Sequence, residues 1–160
     1  MRKNYYLFLG LLFCMSAHAY DFENGGIYYD ITSPTTVSVT NNEDMDQTYS
    51  GEVVIPETVN YENNSYTVTA VGKAFIGCSA LTSVTLPNSI TSIEDFAFAG
   101  SGLSSISIPA DVTSIGFSAF ESSTVRSIVI PDNVKSIGDN AFRSCSQLTS
   151  VMLPNGITSI

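Results

Sequence analysis

The residues that could do chemistry are few, and their spacing argues against catalysis. The single histidine is His18, and the three cysteines are Cys14, Cys78 and Cys145. A general base or an activated nucleophile needs a partner within hydrogen-bond reach. No Gly-x-Ser-x-Gly, phosphate loop or zinc-ligand spacing is present. Carboxylates such as Glu94, Asp111, Glu121, Asp132 and Asp139 are scattered and share no common position. Asp44-x-Asp46-x-Thr48 opens like a calcium loop, but Tyr49 stands where its glycine belongs and Ile55 where its closing glutamate belongs. With Asn41, Asn42, Glu43 and Glu52 it reads as a solvated acidic loop. Asn63-Asn64-Ser65 matches a glycosylation sequon and reads as the turn of a hairpin. The inventory predicts no enzyme, no cofactor and no metal.

What the cysteines can do depends on the elements that hold them. Residues 81–160 repeat one phrase four times, opening at Leu81, Leu103, Val125 and Leu148, at spacings of 22, 22 and 23 residues. That lies in the range of about 20–29 residues for leucine-rich repeats. Within a copy the apolar positions are fixed: Leu103, Ile106, Ile108, Val112, Ile115, Ala119 and Phe120 in the second. Leu103 to Ile108 ends in the alternation of a half-buried strand. Pro109 closes it, as Pro87, Pro131 and Pro154 do elsewhere, because proline cannot donate the next ladder bond. Val112 to Ile115 reads as a second extended piece. Gly116 to Phe120 turns the chain back, with Ala119-Phe120 plugging the middle. One copy cannot bury enough apolar surface to order itself, so copies must stack with like positions in files. Phe98, Phe120 and Phe142 are then expected to line one interior.

Cys78 and Cys145 share a column filled elsewhere by Ser101 and Ser123, three repeats apart. At ~4.8 Å per strand they should lie roughly 14 Å apart, while a disulfide needs Cα atoms within about 7 Å. They are expected to be free, buried thiols.

The pattern L-x-x-V-x-L-P-x-x-I-x-x-I-(G/E)-x-x-A-F-x-x-(C/S) resembles the BspA-like leucine-rich repeats of bacterial surface proteins, also called the Treponema pallidum type. The resemblance covers about residues 50–160. It implies a curved, mostly β solenoid, exported to the cell surface and adhering to host or bacterial proteins. Two positions depart from the family pattern. Ser89, Asp111, Asn133 and Gly156 fill the column of the usual Asn or Cys, so an asparagine ladder does not hold these turns. Glu94 replaces the glycine found at Gly116 and Gly138.

The fold class predicted is mainly β: a leucine-rich-repeat solenoid of ~22–23-residue repeats with an N-terminal β-hairpin cap. Residues 1–19 read as a secretory signal peptide. Arg2 and Lys3 form its basic start, Tyr5 to Met15 its apolar run and Ala17-His18-Ala19 its cleavage site. The run is too short for a permanent membrane span. Cys14 would suit lipid attachment, but Phe13 sits where that processing needs a small residue. Removing the leader leaves four Lys and Arg against 15 Asp and Glu, which disfavours nucleic acid and anionic membrane as partners.

Residues 20–66 hold all the tyrosines outside the leader and form the cap. Ile27–Ile31 and Thr36–Thr40 alternate around Ser33-Pro34-Thr35, a hairpin. Gly51 to Val59 is a degenerate first repeat with Pro56 in the proline column. Asn63-Asn64 turns an inserted hairpin that brings Tyr61 and Tyr66 together. The cap should cover an unpaired strand edge and an open core. Residues 67–160 are the repeats, ending at Ile160 before a fourth plug, so end-to-end association is expected there.

The strand face is the expected binding surface. Its outward columns include Thr82, Ser104, Arg126 and Thr149, then Thr85, Ser107, Val129 and Met152, and the last of these turns apolar. Thr85, Ser107, Arg126, Val129, Thr149 and Met152 are the candidate ligand-binding residues, although strand propensity alone also favours Val129. The partner expected is a host or bacterial surface protein or glycoprotein. Carbohydrate binding would want exposed aromatics, and the repeats have no Tyr or Trp. The alternative is a structural spacer presenting a domain downstream.

Overall fold

The structure is a computed structural model and describes residues 20–42 and 49–157. The expected signal peptide with Cys14, the calcium-like Asp44-x-Asp46-x-Thr48 stretch and the end at Ile160 lie outside these residues.

The cap opens with three strands: β1 (Phe22–Asn24), β2 (Ile27–Ile31) and β3 (Thr36–Thr40). They form an antiparallel meander. The bend around Pro34 is closed by Thr32 N–H donating to Thr36 O at 3.0 Å. β4 (Gly51–Val54) carries the degenerate repeat, and β5 (Thr58–Tyr61) with β6 (Asn64–Val71) forms the inserted hairpin. Its turn is not Asn63-Asn64. Tyr61 pairs with Asn64, so the loop is Glu62-Asn63, and Glu62 takes the left-handed conformation at φ 50°. The two-residue loop fits the pairing of Val59 with Tyr66, whereas a shift by one residue would turn Tyr66 to solvent. Tyr61 and Tyr66 meet through Phe22, whose ring lies 4.3 and 6.1 Å from theirs.

The repeats run through β7 (Leu81–Thr85), β8 (Ser92–Ile93), β9 (Ser114–Ile115), β10 (Ser127–Val129), β11 (Ser136–Ile137) and β12 (Ser150–Met152). They build two parallel files. The second strands of each copy form an unbroken ladder, β6-β8-β9-β11, which the cap continues through β3, β2 and β1. The first strands do not. β4 pairs with β7 and β10 with β12, but Leu103–Ile108 is joined to the file by a single bridge, Ser105 to Ser127. Two positions there carry serine where the copies on either side have a different residue: Ser104 against Thr82 and Arg126, and Ser107 against the better strand formers Thr85 and Val129. The cap lies at the head of the second file. It extends that file through β3, β2 and β1, and among the described residues β4 pairs with β7 alone.

Between the files lies one interior. Phe75, Phe98, Phe120 and Phe142 stack at centroid spacings of 5.2, 5.2 and 5.5 Å, with planes 7–10° from parallel. The expected file of phenylalanines is therefore the spine of the fold. Ala97, Ala119 and Ala141 lie beside it, all buried. Tyr49 tops the stack 5.0 Å from Phe75 and is pinned by Tyr28 N–H, which donates to its hydroxyl at 3.2 Å. Within the side-chain column that lacks the asparagine ladder, Ser89 still donates to Val68 O at 2.7 Å and Asn133 to Ala110 O at 2.9 Å.

The glycine column explains its own exception. A Cβ on Gly116 would lie 2.6 Å from Asp95 N, and one on Gly138 2.5 Å from Phe117 N, so the preceding copy leaves no room for a side chain. Glu94 is tolerated because the copy before it has a shorter turn, the 3-10 stretch Lys73–Phe75. The position a Cβ on Gly72 would take lies 3.2 Å from a Glu94 carboxyl oxygen, so the side chain fills the shortened turn. Burial there, with Asp30 and Asp95 nearby, pushes the Glu94 carboxyl up from its ordinary value.

Candidate functional site

The first-strand file presents the candidate residues. Thr85, Ser107, Arg126, Val129, Thr149 and Met152 are all exposed. Alternation about the buried Val84 and Ile128 puts Thr85 and Val129 outward, while Arg126 and Thr149 lie just ahead of their strands, each one residue after an inward position of its copy. The register then brings side chains from different copies together. Val129 pairs directly with Met152, and the two are 59% and 63% exposed. Apolar side chains this large, held side by side in water, are the informative feature of an otherwise serine- and threonine-rich face.

Arg126 is fixed through its backbone. Its N–H donates to Ser104 O at 3.0 Å, and its carbonyl accepts from both Thr149 N–H and the Thr149 hydroxyl, at 2.9 and 3.0 Å. Thr149 thus positions Arg126 rather than presenting a free hydroxyl. Thr85 and Ser107 lie in the same column as Val129, but the broken ladder between β7 and Leu103–Ile108 separates them.

The same face carries a feature the sequence did not disclose. Two grooves flank the Leu103–Ile108 segment on the strand face. One, of about 360 Å³, runs between Ser83–Leu86 and Ser105–Ser107. The other, of about 410 Å³, is lined by Ile106, Ile108, Ala110, Val129 and Pro131. A weak signal existed in the three serines of Ser104-Ser105-Ile106-Ser107. The sequence reading also missed Val54, which is 68% exposed and pairs with Thr85 at the head of the Val129 column. Its signal was plain: Val54 precedes Pro56 by two residues, as Val129 precedes Pro131.

No metal or nucleophilic constellation competes with this face. Among the described residues no three His, Cys, Asp or Glu side chains group to hold a cation. Cys78 and Cys145 are free. Cys78 is buried, and burial raises its thiol above the ordinary value, which keeps it protonated. Cys145 is only half-buried, contrary to expectation, because it belongs to the last plug turn and has one neighbouring copy instead of two. It donates to Phe120 O at 3.0 Å.

Residues 68–160, more than half of the chain, match the model of the BspA type leucine rich repeat region, in six copies. None of the curated proteins compared matches the chain. Among solved structures, a leucine-rich repeat protein from Bacteroides ovatus is 31% identical with a TM-score of 0.61. The match covers 86% of this chain and 42% of that one. A second, from Bacteroides capillosus, is 30% identical with a TM-score of 0.69, covering 82% of this chain and 96% of that one. A leucine rich cell surface protein from Faecalibacterium prausnitzii shares the fold, at 22% identity and a TM-score of 0.62, over 86% of this chain and 43% of that one. The chain thus spans about two-fifths of the length of the first and third. Repeat period, proline and Ala-Phe columns, stacked phenylalanines and family match agree: the chain belongs to the BspA-type leucine-rich repeat family.

Proposed function

We propose that this chain is an exported, cell-surface protein-interaction module that adheres to a protein or glycoprotein through its first-strand face. The observation that carries it is the in-register pair Val129 and Met152, exposed on a face whose other outward positions are mostly serine and threonine, with Arg126 and Glu52 as its charged ones. An exposed apolar pair set in an otherwise polar face marks a surface suited to protein interaction. The family supports the reading, and so does a shared fold with a protein described as a cell surface protein. The leader reading of residues 1–19 supplies the export. The rigid phenylalanine stack would equally suit a spacer holding another domain away from the cell, and such a spacer needs no specific face.

The test is capture of extracellular host and bacterial surface proteins by the purified protein and by its Val129→Asp and Met152→Asp variants. Captured partners lost with either variant, at unchanged Tm, support a docking face. Capture indifferent to both, or none, favours the spacer.

A further inference from the structure

The chain is acidic, with 15 Asp and Glu against six Lys and Arg, but beyond Glu52 on β4 the strand face does not share that character. From Leu81 onward every carboxylate among the described residues (Glu94, Asp95, Asp111, Glu121, Asp132 and Asp139) falls in a turn rather than on a first strand. Four cations are described. Lys73 lies 5.8 Å over the Phe96 ring, Lys135 donates to Asp132 O at 3.3 Å, and Arg143 sits 3.6 Å from Glu121. The fourth is Arg126. Among the described residues its exposed guanidinium has no ion pair or side-chain hydrogen bond. It immediately precedes the strand that carries Val129, and its chain neighbour Ser127 lines, with Val129, Ile106, Ile108 and Pro131, the groove of about 410 Å³.

We propose that this face takes an extended, acidic protein segment, with a carboxylate side chain on Arg126 and an apolar side chain of the same segment in the groove beside Val129. The inference rests on the strand face being the docking surface and names the chemistry that it selects. A guanidinium offers carboxylate two parallel donors. Its backbone is already fixed on both sides by Ser104 and Thr149, so only the side chain has to be ordered on binding. The negative turns around the face repel acidic partners at long range, so a segment that binds must gain at close range from Arg126 and from the groove together. The rule predicted is a carboxylate within a few residues of an aliphatic or aromatic side chain.

The experiment is selection of a random displayed peptide library on the purified protein, followed by affinity measurement of the winners. Expected winners pair Asp or Glu with an apolar neighbour. Their affinity should fall roughly tenfold with Arg126→Glu, and fall again with Val129→Asp. Replacing the winning Asp or Glu by Lys should restore binding to the Arg126→Glu variant. Winners that lose binding with Val129→Asp but show no acidic preference overturn this inference and leave the docking face standing. Winners indifferent to both substitutions, or no winners, overturn both. A sialylated glycan that binds through Arg126 where no acidic peptide does would overturn the protein segment as occupant.

Discussion

Phe98 and Phe120 lie face to face, centroids 5.2 Å apart and planes 10° from parallel, and each is essentially inaccessible to water. Each ring touches the one before and the one after, so removing one opens a void between two copies. Phe98→Ala should cost about 3–5 kcal/mol, a large share of a domain stability of roughly 5–15 kcal/mol. Phe142, half-buried at the end of the stack, should cost clearly less when changed to Ala. Urea unfolding midpoints of the two variants check the order, and equal losses would contradict a stacked interior.

The glycines separate into two kinds. Gly116 is needed for room, because its Cβ would meet Asp95 N at 2.6 Å. Gly116→Ala must therefore push two copies apart, and a loss of about 1–3 kcal/mol is expected. Gly100 is needed for conformation, at φ 67°, in a column where Ser122 and Ser144 accept φ 57°. Gly100→Ala should cost about 1 kcal/mol, and Ser122→Gly should cost nothing. Thermal melts of the three variants give the ranking.

Glu94 makes the stability depend on pH. Its folded value is raised by burial first, then by Asp30 and Asp95, so the fold holds its proton more tightly than the unfolded chain. Its destabilising effect is thus present at neutral pH. It is relieved as pH falls through the raised value, and relief is complete below the ordinary 4.5. Glu94→Gln should raise Tm near neutral pH by about 1–2 °C, solvent screening of this exposed side chain keeping the effect small. Below about pH 4 the variant and the parent should melt together. A gap that persists in acid would show that packing, not charge, distinguishes them.

The cysteines should differ in reactivity. Half-buried Cys145 is expected to react slowly with a thiol reagent in the native protein, and Cys78 only on unfolding. Cys145→Ser should be nearly neutral, since Ser101 and Ser123 already fill that column. Native titration that released Cys78 first would contradict the placement of the column.

The sequence alone determined the period, the second strand of each copy, the plug and the file of phenylalanines, because each rests on spacing that stacking must preserve. Thr85, Ser107, Val129 and Met152 were legible as outward positions because alternation fixes which side of a strand a residue faces, and Arg126 and Thr149 because the repeat keeps their column polar. Tertiary structure alone decided how continuous each file is. Whether Leu103–Ile108 pairs with β7 turns on backbone distances between copies, at which Ser104 and Ser107 only hint. It also decided that Glu94 fits, since its side chain occupies space left by a shortened turn in the previous copy. Periodicity reports what each copy repeats, whereas grooves and tolerated exceptions arise where neighbouring copies differ.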